Sequence, residues 1–173
     1  MGREANLTAY LIRRATTSDA EALAGCLDAA FKPFRGEYTF AAFRDTVPTA
    51  SEMARRLAEM CLFVAVIESG EIVGTLGYRR VDTEESHLRG MAVPPKYQGS
   101  GIAKQLLEAV ESDLRLKHCL RISLGTTLPL KRATSFYEKN GYRLSGKVSD
   151  FFGMPLYEYT KTLKLVAPEG RTV

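Results

Sequence analysis

A glycine-rich segment lies between an apolar run and an amphipathic pattern near the middle of the 173-residue chain. The apolar run ends at Val93, and the two prolines that follow exclude both a helix and further strand pairing. From Ile102 onwards apolar residues recur at helical spacing, so a helix is expected directly after Gly101. The first amides of a helix lack intrahelical partners and carry partial positive charge, and glycines let an anion approach them closely. The segment therefore predicts a binding site for phosphate groups.

Two common nucleotide motifs fail at this segment. A Rossmann loop needs a third glycine where Lys104 stands, and a P-loop needs a Gly-Lys-Ser/Thr triplet that is absent. The segment instead resembles the Q/R-x-x-G-x-G/A signature of the GCN5-related N-acetyltransferases, the GNAT family. Residues 133–142 resemble a second pattern of that family, A-x-x-F-Y-E-K-x-G-F/Y. The residues of the first signature are Gln98, Gly99, Ser100, Gly101, Ile102 and Ala103.

The resemblance implies that the chain binds acetyl-CoA as a cosubstrate. In the family, the pantetheine arm lies beside the strand that precedes the glycine loop, which here offers the backbone of Met91, Ala92 and Val93. The loop amides, from Gly99 through Ser100, Gly101, Ile102 and Ala103, would hold the pyrophosphate together with the Gln98 side chain. Lys139, with Lys131 and Arg132, is a candidate for the 3′-phosphate. Relatives often carry an asparagine where Leu130 stands, so that particular contact is not expected here.

Acetyl transfer to an amine requires a neutral amine and protonation of the departing thiolate. Tyr137 matches the tyrosine that donates this proton in many relatives. His87 stands where many relatives carry a glutamate that deprotonates the amine, and a histidine can do this near neutral pH. Glu84, Glu85 and solvent are alternative bases. On a regularly alternating strand one face would carry Glu85, His87, Arg89 and Met91.

The acceptor site is expected to form from residues 32–50 and 146–155, because loops carry specificity on rigid scaffolds. Their aromatic residues predict an apolar pocket wall, and three glutamates would attract a cationic amine. The aromatic residues are Phe34, Tyr38, Phe40, Phe151 and Phe152, and the glutamates are Glu37, Glu84 and Glu85.

The resemblance implies an N-acetyltransferase that moves the acetyl group directly from acetyl-CoA to a primary amine, most simply of a small molecule. A protein acetyltransferase acting on an N-terminal amine or a lysine is an alternative, and so is a CoA-sensing module without catalysis. A covalent route through Cys61 or Cys119 is disfavoured because neither lies in an evident activating context. A homodimer stays open, because relatives often pair through exposed strands.

Periodicity and turn signals predict one strand, two helices, three strands, a helix, a strand, a helix and two strands. Capping boxes at 18–21 and 49–52 mark the first two helices, and 32–49 and 146–155 are predicted as irregular connections. This order favours an α/β fold with a mixed, mostly antiparallel sheet and helices on both faces, which the resemblance also implies. One domain over residues 1–173 is expected, with a core over about 8–164 and a flexible tail over 165–173.

Charge and cysteine content exclude several other classes of protein. The net charge is +4, and the excess lies in residues 129–173, with 8 basic and 4 acidic residues against 16 of each in 1–128. Nucleic-acid binding is not predicted by this balance. Three widely spaced cysteines favour free thiols over a disulfide or a metal site. Without a transmembrane-length apolar run or a signal-peptide pattern, a cytoplasmic protein that binds no membrane is expected.

Overall fold

A computed structural model describes residues 9–165 of the chain. Within them there are seven strands, which form one sheet, and five α-helices. The strands are β1 (Tyr10–Arg14), β2 (Cys61–Ile67), β3 (Ile72–Arg80), β4 (Glu85–Ala92), β5 (Arg121–Thr126), β6 (Arg143–Phe151) and β7 (Met154–Thr162). The helices are α1 (Ala20–Phe31), α2 (Phe40–Thr46), α3 (Ala50–Glu59), α4 (Ile102–Leu116) and α5 (Lys131–Lys139). The expected tail after residue 165 and the first residues of the predicted N-terminal strand lie outside the described part.

The strand order across the sheet is β1-β2-β3-β4-β5-β7-β6. Only the β4–β5 pair is parallel among these strands, and every other neighbouring pair is antiparallel. The connection between the parallel strands is the crossover that contains α4, as parallel pairing requires. The predicted mixed, mostly antiparallel sheet with helices on both faces is therefore confirmed.

Two hydrophobic clusters fill the two sides of the sheet. On one side Leu106, Val110 and Leu114 of α4 are fully buried against β2 and β3, and α5 contributes to the same cluster. On the other side Leu23 and Leu27 of α1 pack with α3 and the opposite face of the sheet. Each helix buries its apolar stripe, and each Å² of apolar surface removed from water stabilises the fold by roughly 25 cal/mol. This burial is the main force that holds the layers together.

The structure corrects the two connections that the sequence pattern predicts as irregular. Residues 32–37 form a short 3₁₀ turn, and α2 follows, with the Thr39 hydroxyl accepting a hydrogen bond from the Ala42 amide at 3.1 Å. Because α2 has only seven residues, its periodicity covers two turns and is too brief to stand out. The 146–155 segment is mostly strand, since β6 continues to Phe151 and turns into β7 through two residues.

The helix starts follow local capping chemistry. The predicted capping box at Thr49 is present, with the Glu52 carboxylate accepting from the Thr49 amide at 2.8 Å. The first helix is preceded instead by a box at Thr16, where Asp19 accepts from the Thr16 amide at 2.7 Å. The prediction of a start at residue 18 was wrong by two residues, because Asp19 is the acidic partner of the box.

All three cysteines are free thiols, with Cys26 and Cys119 buried and Cys61 partly exposed. Burial, and to a smaller extent Glu71, raises the pKa of the Cys26 thiol to about 12. That cysteine therefore behaves as a small apolar side chain at neutral pH. None of the helices in residues 9–165 has the length and apolar character needed to cross a membrane.

Candidate active site

Strands β4 and β5 separate part-way along their length. Their parallel pairing runs over four residue pairs, from Glu85 with Arg121 to Leu88 with Leu124. Beyond this point β4 continues to Ala92 beside β3, and β5 continues to Thr126 beside β7, without pairing to each other. The sheet is therefore split between its two halves from Leu88 onwards.

A β-bulge in β4 lies at the mouth of this split. Gly77 of β3 pairs with Arg89 and Thr75 pairs with Ala92, so β4 holds one extra residue at this point. Gly90 has a φ of +74°, a conformation that favours glycine. The extra residue changes which side chains share a face: Met91 packs with the α4 cluster, whereas Ala92 is buried on the α1 side. The expectation that Met91 shares a face with His87 and Arg89 was wrong, because it assumed unbroken alternation.

The glycine loop leaves a row of amides without partners. Gly99 and Gly101 have φ values of +79° and +84°, and Gly101 directly precedes α4. The Gln98 side-chain amide donates to the Val93 carbonyl at 3.0 Å, which ties the loop to the end of β4. The Ser100 hydroxyl donates to the Tyr97 carbonyl, so it too stabilises the loop. Within residues 9–165 no acceptor meets the backbone amides of Gly99, Ser100, Gly101, Ile102 and Ala103.

A cavity of about 880 Å³ extends from this loop into the split. Its lining includes Leu27 and Phe31 of α1 on one side of the sheet and Ala133 and Phe136 of α5 on the other. The cavity thus passes through the sheet from face to face. Most of the predicted site residues line it: His87, Met91, Ala92, Val93, Gln98, Gly99, Gly101, Ile102, Ala103, Tyr137 and Lys139.

Four of the residues predicted for catalysis or cofactor binding do not line the cavity: Glu84, Glu85, Ser100 and Lys131. The Glu85 carboxylate accepts from Arg121 at 3.0 Å near the start of the β4–β5 pair, so it is engaged elsewhere. Ser100 lies in the loop but turns its hydroxyl back to the Tyr97 carbonyl. Ser100 can therefore offer its backbone amide only.

Tyr137 projects from α5 into the cavity. Its ring packs edge-on against Phe136 and against Tyr142, with ring centroids 5.4 Å apart in each pair. Burial raises the pKa of its phenol far above the ordinary value, so the hydroxyl is protonated at neutral pH. Within the described residues this hydroxyl has no hydrogen-bond partner, although the residue lines the cavity. Tyr137 therefore presents a free proton donor.

His87 lies on β4 opposite Ser123 of β5, one residue before the last β4–β5 pair. Its Nδ1 is 3.0 Å from the Ser123 hydroxyl of β5, which leaves Nε2 as the free ring nitrogen. Burial first, and then the cations of Arg79 and Arg89, lower the pKa of this imidazole below its usual 6.5. His87 is therefore neutral at neutral pH and can accept a proton.

One end of the cavity is bridged by two hydrogen bonds. The Tyr38 hydroxyl is 2.7 Å from the Thr127 hydroxyl, which joins the segment before α2 to the end of β5. The Thr39 hydroxyl donates to the Phe152 carbonyl at 2.8 Å and joins the same segment to the β6–β7 turn. Of the predicted aromatic wall, Phe34, Tyr38 and Phe151 line the cavity, while Phe40 and Phe152 do not and are exposed.

The sequence pattern did not reveal the charged residues at the α1 side of the cavity. Arg56, Arg79 and Arg89 line it together with Asp45, whereas Glu37, Glu84 and Glu85 do not. The expectation of an acidic acceptor pocket was therefore wrong. Arg56 and Asp45 come from α3 and α2, and only the tertiary packing of these helices brings them to β4. Asn140 also lines the cavity, and its side-chain amide donates to the Phe136 carbonyl at 2.8 Å.

The cavity fits the parts of acetyl-CoA. The free amides at the start of a 15-residue helix offer an anion site suited to a pyrophosphate. Lys104, Arg132 and Lys139 line the same cavity and add positive charge from α4 and α5. The split beside Met91 leaves a slot between two strand edges, where an extended amide-bearing chain can lie.

A family model described as "Acetyltransferase (GNAT) family" matches residues 22–142. The chain belongs to this family. A GNAT acetyltransferase from Staphylococcus aureus Mu50 superposes on 90% of this chain and 100% of its own, with a TM-score of 0.74 and 26% identity. PaiA N-acetyltransferase from Thermoplasma acidophilum, solved with coenzyme A, superposes on 87% of this chain and 98% of its own, with a TM-score of 0.73 and 19% identity. At 19% identity, the similarity to PaiA shows the fold alone.

Two curated relatives match the chain over about half of its length. An uncharacterised Bacillus subtilis protein, YdhI, is 36% identical over 90 residues, which are 52% of this chain and 54% of that protein. N-acetylaspartate synthetase from Danio rerio is 35% identical over 92 residues, which are 53% of this chain and 32% of that enzyme. The chain thus spans about half the length of the first relative and a third of the second.

Proposed function

We propose that this GNAT acetyltransferase transfers the acetyl group of acetyl-CoA directly to a primary amine of a small molecule. The observation that carries the proposal is one cavity in which a free anion site, a neutral His87 and an unpartnered Tyr137 hydroxyl meet. Each group has the protonation state that its step requires. Bound acetyl-CoA supplies a thioester, whose carbonyl carbon reacts with a neutral amine.

The loop amides and the edge of β4 bind and orient the donor. The amides of Gly99, Gly101 and Ile102 face phosphate oxygens, and the helix dipole of α4 favours their charge. The backbone from Met91 to Val93 does not pair with β5, so its groups on that side are available to the donor, apart from the Val93 carbonyl that accepts from Gln98. Lys139 and Arg132 neutralise the remaining phosphate charge.

The two side chains move protons at opposite ends of the reacting bonds. His87 Nε2 accepts a proton from the attacking amine nitrogen, and Ser123 fixes the orientation of the ring through Nδ1. The Tyr137 hydroxyl donates its proton to the sulfur as the carbon–sulfur bond breaks. One carbon–nitrogen bond forms and one carbon–sulfur bond breaks, so the products are an amide and a free thiol.

The bridged end of the cavity favours a small acceptor. The hydrogen bonds of Tyr38 with Thr127 and of Thr39 with Phe152 tie the segment before α2 to the end of β5 and to the β6–β7 turn, which supports an enclosed acceptor site rather than an open peptide groove. The name of the N-acetylaspartate synthetases indicates an acetylated amino acid as their product, which agrees with a small acceptor. A protein acceptor is the alternative that a peptide assay tests.

The first test is ligand-induced stabilisation by acetyl-CoA. At 100 times its Kd, acetyl-CoA stabilises the protein by about 2.7 kcal/mol, which raises Tm by about 5–11 °C for a chain of this size. Gly101→Asp should abolish this shift, because its carboxylate stands among the amides that receive phosphate. Gly70→Asp is the matched control: Gly70 has a similar φ of +87° but lies in the exposed β2–β3 turn.

Both variants place a side chain at a positive φ, so both should lower the free energy of unfolding by about 1–2 kcal/mol. The Tm of the unliganded protein should therefore fall in both. Only Gly101→Asp should lose the response to acetyl-CoA. Thiol release with a panel of primary amines and with lysine peptides then identifies the acceptor class. Absence of a shift in the wild-type protein, or acetylation of peptides alone, would overturn the proposal.

A further inference from the structure

The charges around the cavity are strongly unequal. Asp45 is the one acidic residue among the described residues that line it. Six cations line it: Arg56, Arg79, Arg89, Lys104, Arg132 and Lys139. The last three belong to α4 and α5, on the side assigned to the donor phosphates. The first three lie on the α1 side, where nothing in the proposed function yet uses them.

Two of these arginines share a single carboxylate. Arg89 of β4 and Arg56 of α3 both bond Asp45, with Arg56 Nη2 at 3.5 Å from Oδ1 and also donating to the Asp45 backbone carbonyl. Their side chains retain 38% and 20% exposure, so neither guanidinium is sealed off. One carboxylate cannot saturate two guanidiniums, each of which has five N–H donors. The group carries a net positive charge.

The third arginine, Arg79, adds a further positive charge. Arg79 pairs across the sheet with His87 and so lies on the same face, and no carboxylate within residues 9–165 forms an ion pair with it. Both Arg79 and Arg89 act on the pKa of His87, which shows that all three groups lie within electrostatic reach. The proposed base is therefore flanked by cations.

Such an arrangement disfavours an acceptor that carries only positive charge. It suits a molecule with an anionic group next to its amine, because planar guanidiniums bind a carboxylate through two parallel hydrogen bonds. His87 and Arg89 are two residues apart on one strand face, so they lie roughly 6.6 Å apart along β4. A compact amino acid can therefore present its amine to one and its carboxylate to the other.

We infer that Arg89 and Arg56, with Arg79 beside them, bind a carboxylate of the acceptor, so that the natural acceptor is an amino acid or a similar amino-carboxylate. The carboxylate of Asp45 shows the coordination that the pair can offer to such a group. The inference rests on the proposed function, since it names the substrate class of the same site. It also explains why the glutamates expected near the acceptor lie outside the cavity.

The test compares matched acceptors in which a neutral carboxamide replaces the carboxylate, with every kcat/KM expressed per neutral amine. The pairs are aspartate, glutamate, leucine and phenylalanine, each against its α-carboxamide, with O-phosphoethanolamine as the phosphate probe. For at least one pair the wild-type kcat/KM should favour the carboxylate by about tenfold or more, as expected for a hydrogen-bonded charge pair. Arg89→Gln and Arg56→Gln should reduce this ratio towards one, mainly by raising KM for the carboxylate.

Arg55→Gln is the matched control, because Arg55 neighbours Arg56 on α3 but is exposed and does not line the cavity. It should leave the ratio unchanged. A purely structural role for Arg89 would lower kcat/KM for both members of a pair equally, and the ratio would stay constant. Retained stabilisation of each variant by acetyl-CoA shows that the fold and the donor site are intact.

Each outcome decides the inference separately from the proposed function. Equal use of carboxylate and carboxamide, or preference for O-phosphoethanolamine, overturns the inference while the acetyltransferase stands. The inference is likewise wrong if none of the carboxylates is acetylated. It is also wrong if none of them stabilises the CoA complex more than its carboxamide does. Failure of acetyl-CoA to stabilise the wild-type protein removes the proposed function itself.

Discussion

Replacing Tyr137 by phenylalanine separates catalysis from stability in this protein. The hydroxyl of Tyr137 has no partner within the described residues, so its removal breaks no hydrogen bond. The ring contacts with Phe136 and Tyr142 are kept. The free energy of unfolding should therefore change by less than about 1 kcal/mol, which corresponds to a Tm change of less than about 4 °C.

The effect on turnover should be large, because the same hydroxyl is the proposed proton donor to sulfur. General acid assistance contributes about 10²–10⁴ in rate, or about 3–5 kcal/mol of the barrier. We expect kcat to fall by that factor while acetyl-CoA binding, measured by thermal shift, stays as in the wild type. The assay is thiol release under saturating donor and acceptor.

Tyr142→Phe provides the matched control, because it removes a hydroxyl from the neighbouring ring. Tyr142 is fully buried, and its hydroxyl donates to the Glu111 carboxylate at 3.0 Å. A hydrogen bond to a charged group contributes about 1.5–3 kcal/mol, so Tm should fall by about 3–12 °C with kcat unchanged. If Tyr137→Phe keeps kcat within about tenfold of the wild type, Tyr137 is only a packing residue and another group or solvent donates the proton.

Two further results follow from shifted pKa values. Because burial, Arg79 and Arg89 lower the pKa of His87, kcat/KM for a carboxamide acceptor, expressed per neutral amine, should fall only below pH 6.5; Arg79→Gln should move this limb to higher pH, and His87→Gln should remove it. The pKa of Asp19 is lowered to about 2, mainly by hydrogen bonds from Arg13, so its stabilisation is present above the ordinary value of 3.8 and is lost as the pH falls towards 2. Asp19→Asn should flatten this acid-side loss of stability in urea titrations, and an unchanged slope would contradict that account.

The backbone geometry of the proposed donor site could be predicted from the sequence because it is local. The prolines after Val93, the loop glycines and the helical spacing from Ile102 lie within about two dozen residues, and each acts through the backbone next to it. A positive φ at Gly101 and free amides at the start of α4 follow directly from such a pattern. The structure places most of these residues along one cavity.

The acceptor half could not be predicted in the same way, because its parts come from distant segments. Arg56 and Asp45 reach β4 only through the packing of α2 and α3, and α2 is too short to leave a periodic signal. The bulge at Gly90 also has no counterpart in simple alternation, so the face of Met91 was predicted wrongly. A glycine inside a strand pattern is the one local signal that could have indicated it.

Because the cavity passes through the sheet, the residues proposed for the donor and those proposed for the acceptor lie on opposite faces of the sheet. The proposed donor contacts lie with α4 and α5, whereas Arg56 and Asp45 lie with α2 and α3 on the other face. Substitutions on the second face can therefore retarget the enzyme to a new amine without altering its affinity for acetyl-CoA. Libraries confined to residues 27–56 would explore acceptor choice while donor use is inherited unchanged, and the four residue pairs between β4 and β5 would keep the two halves in register.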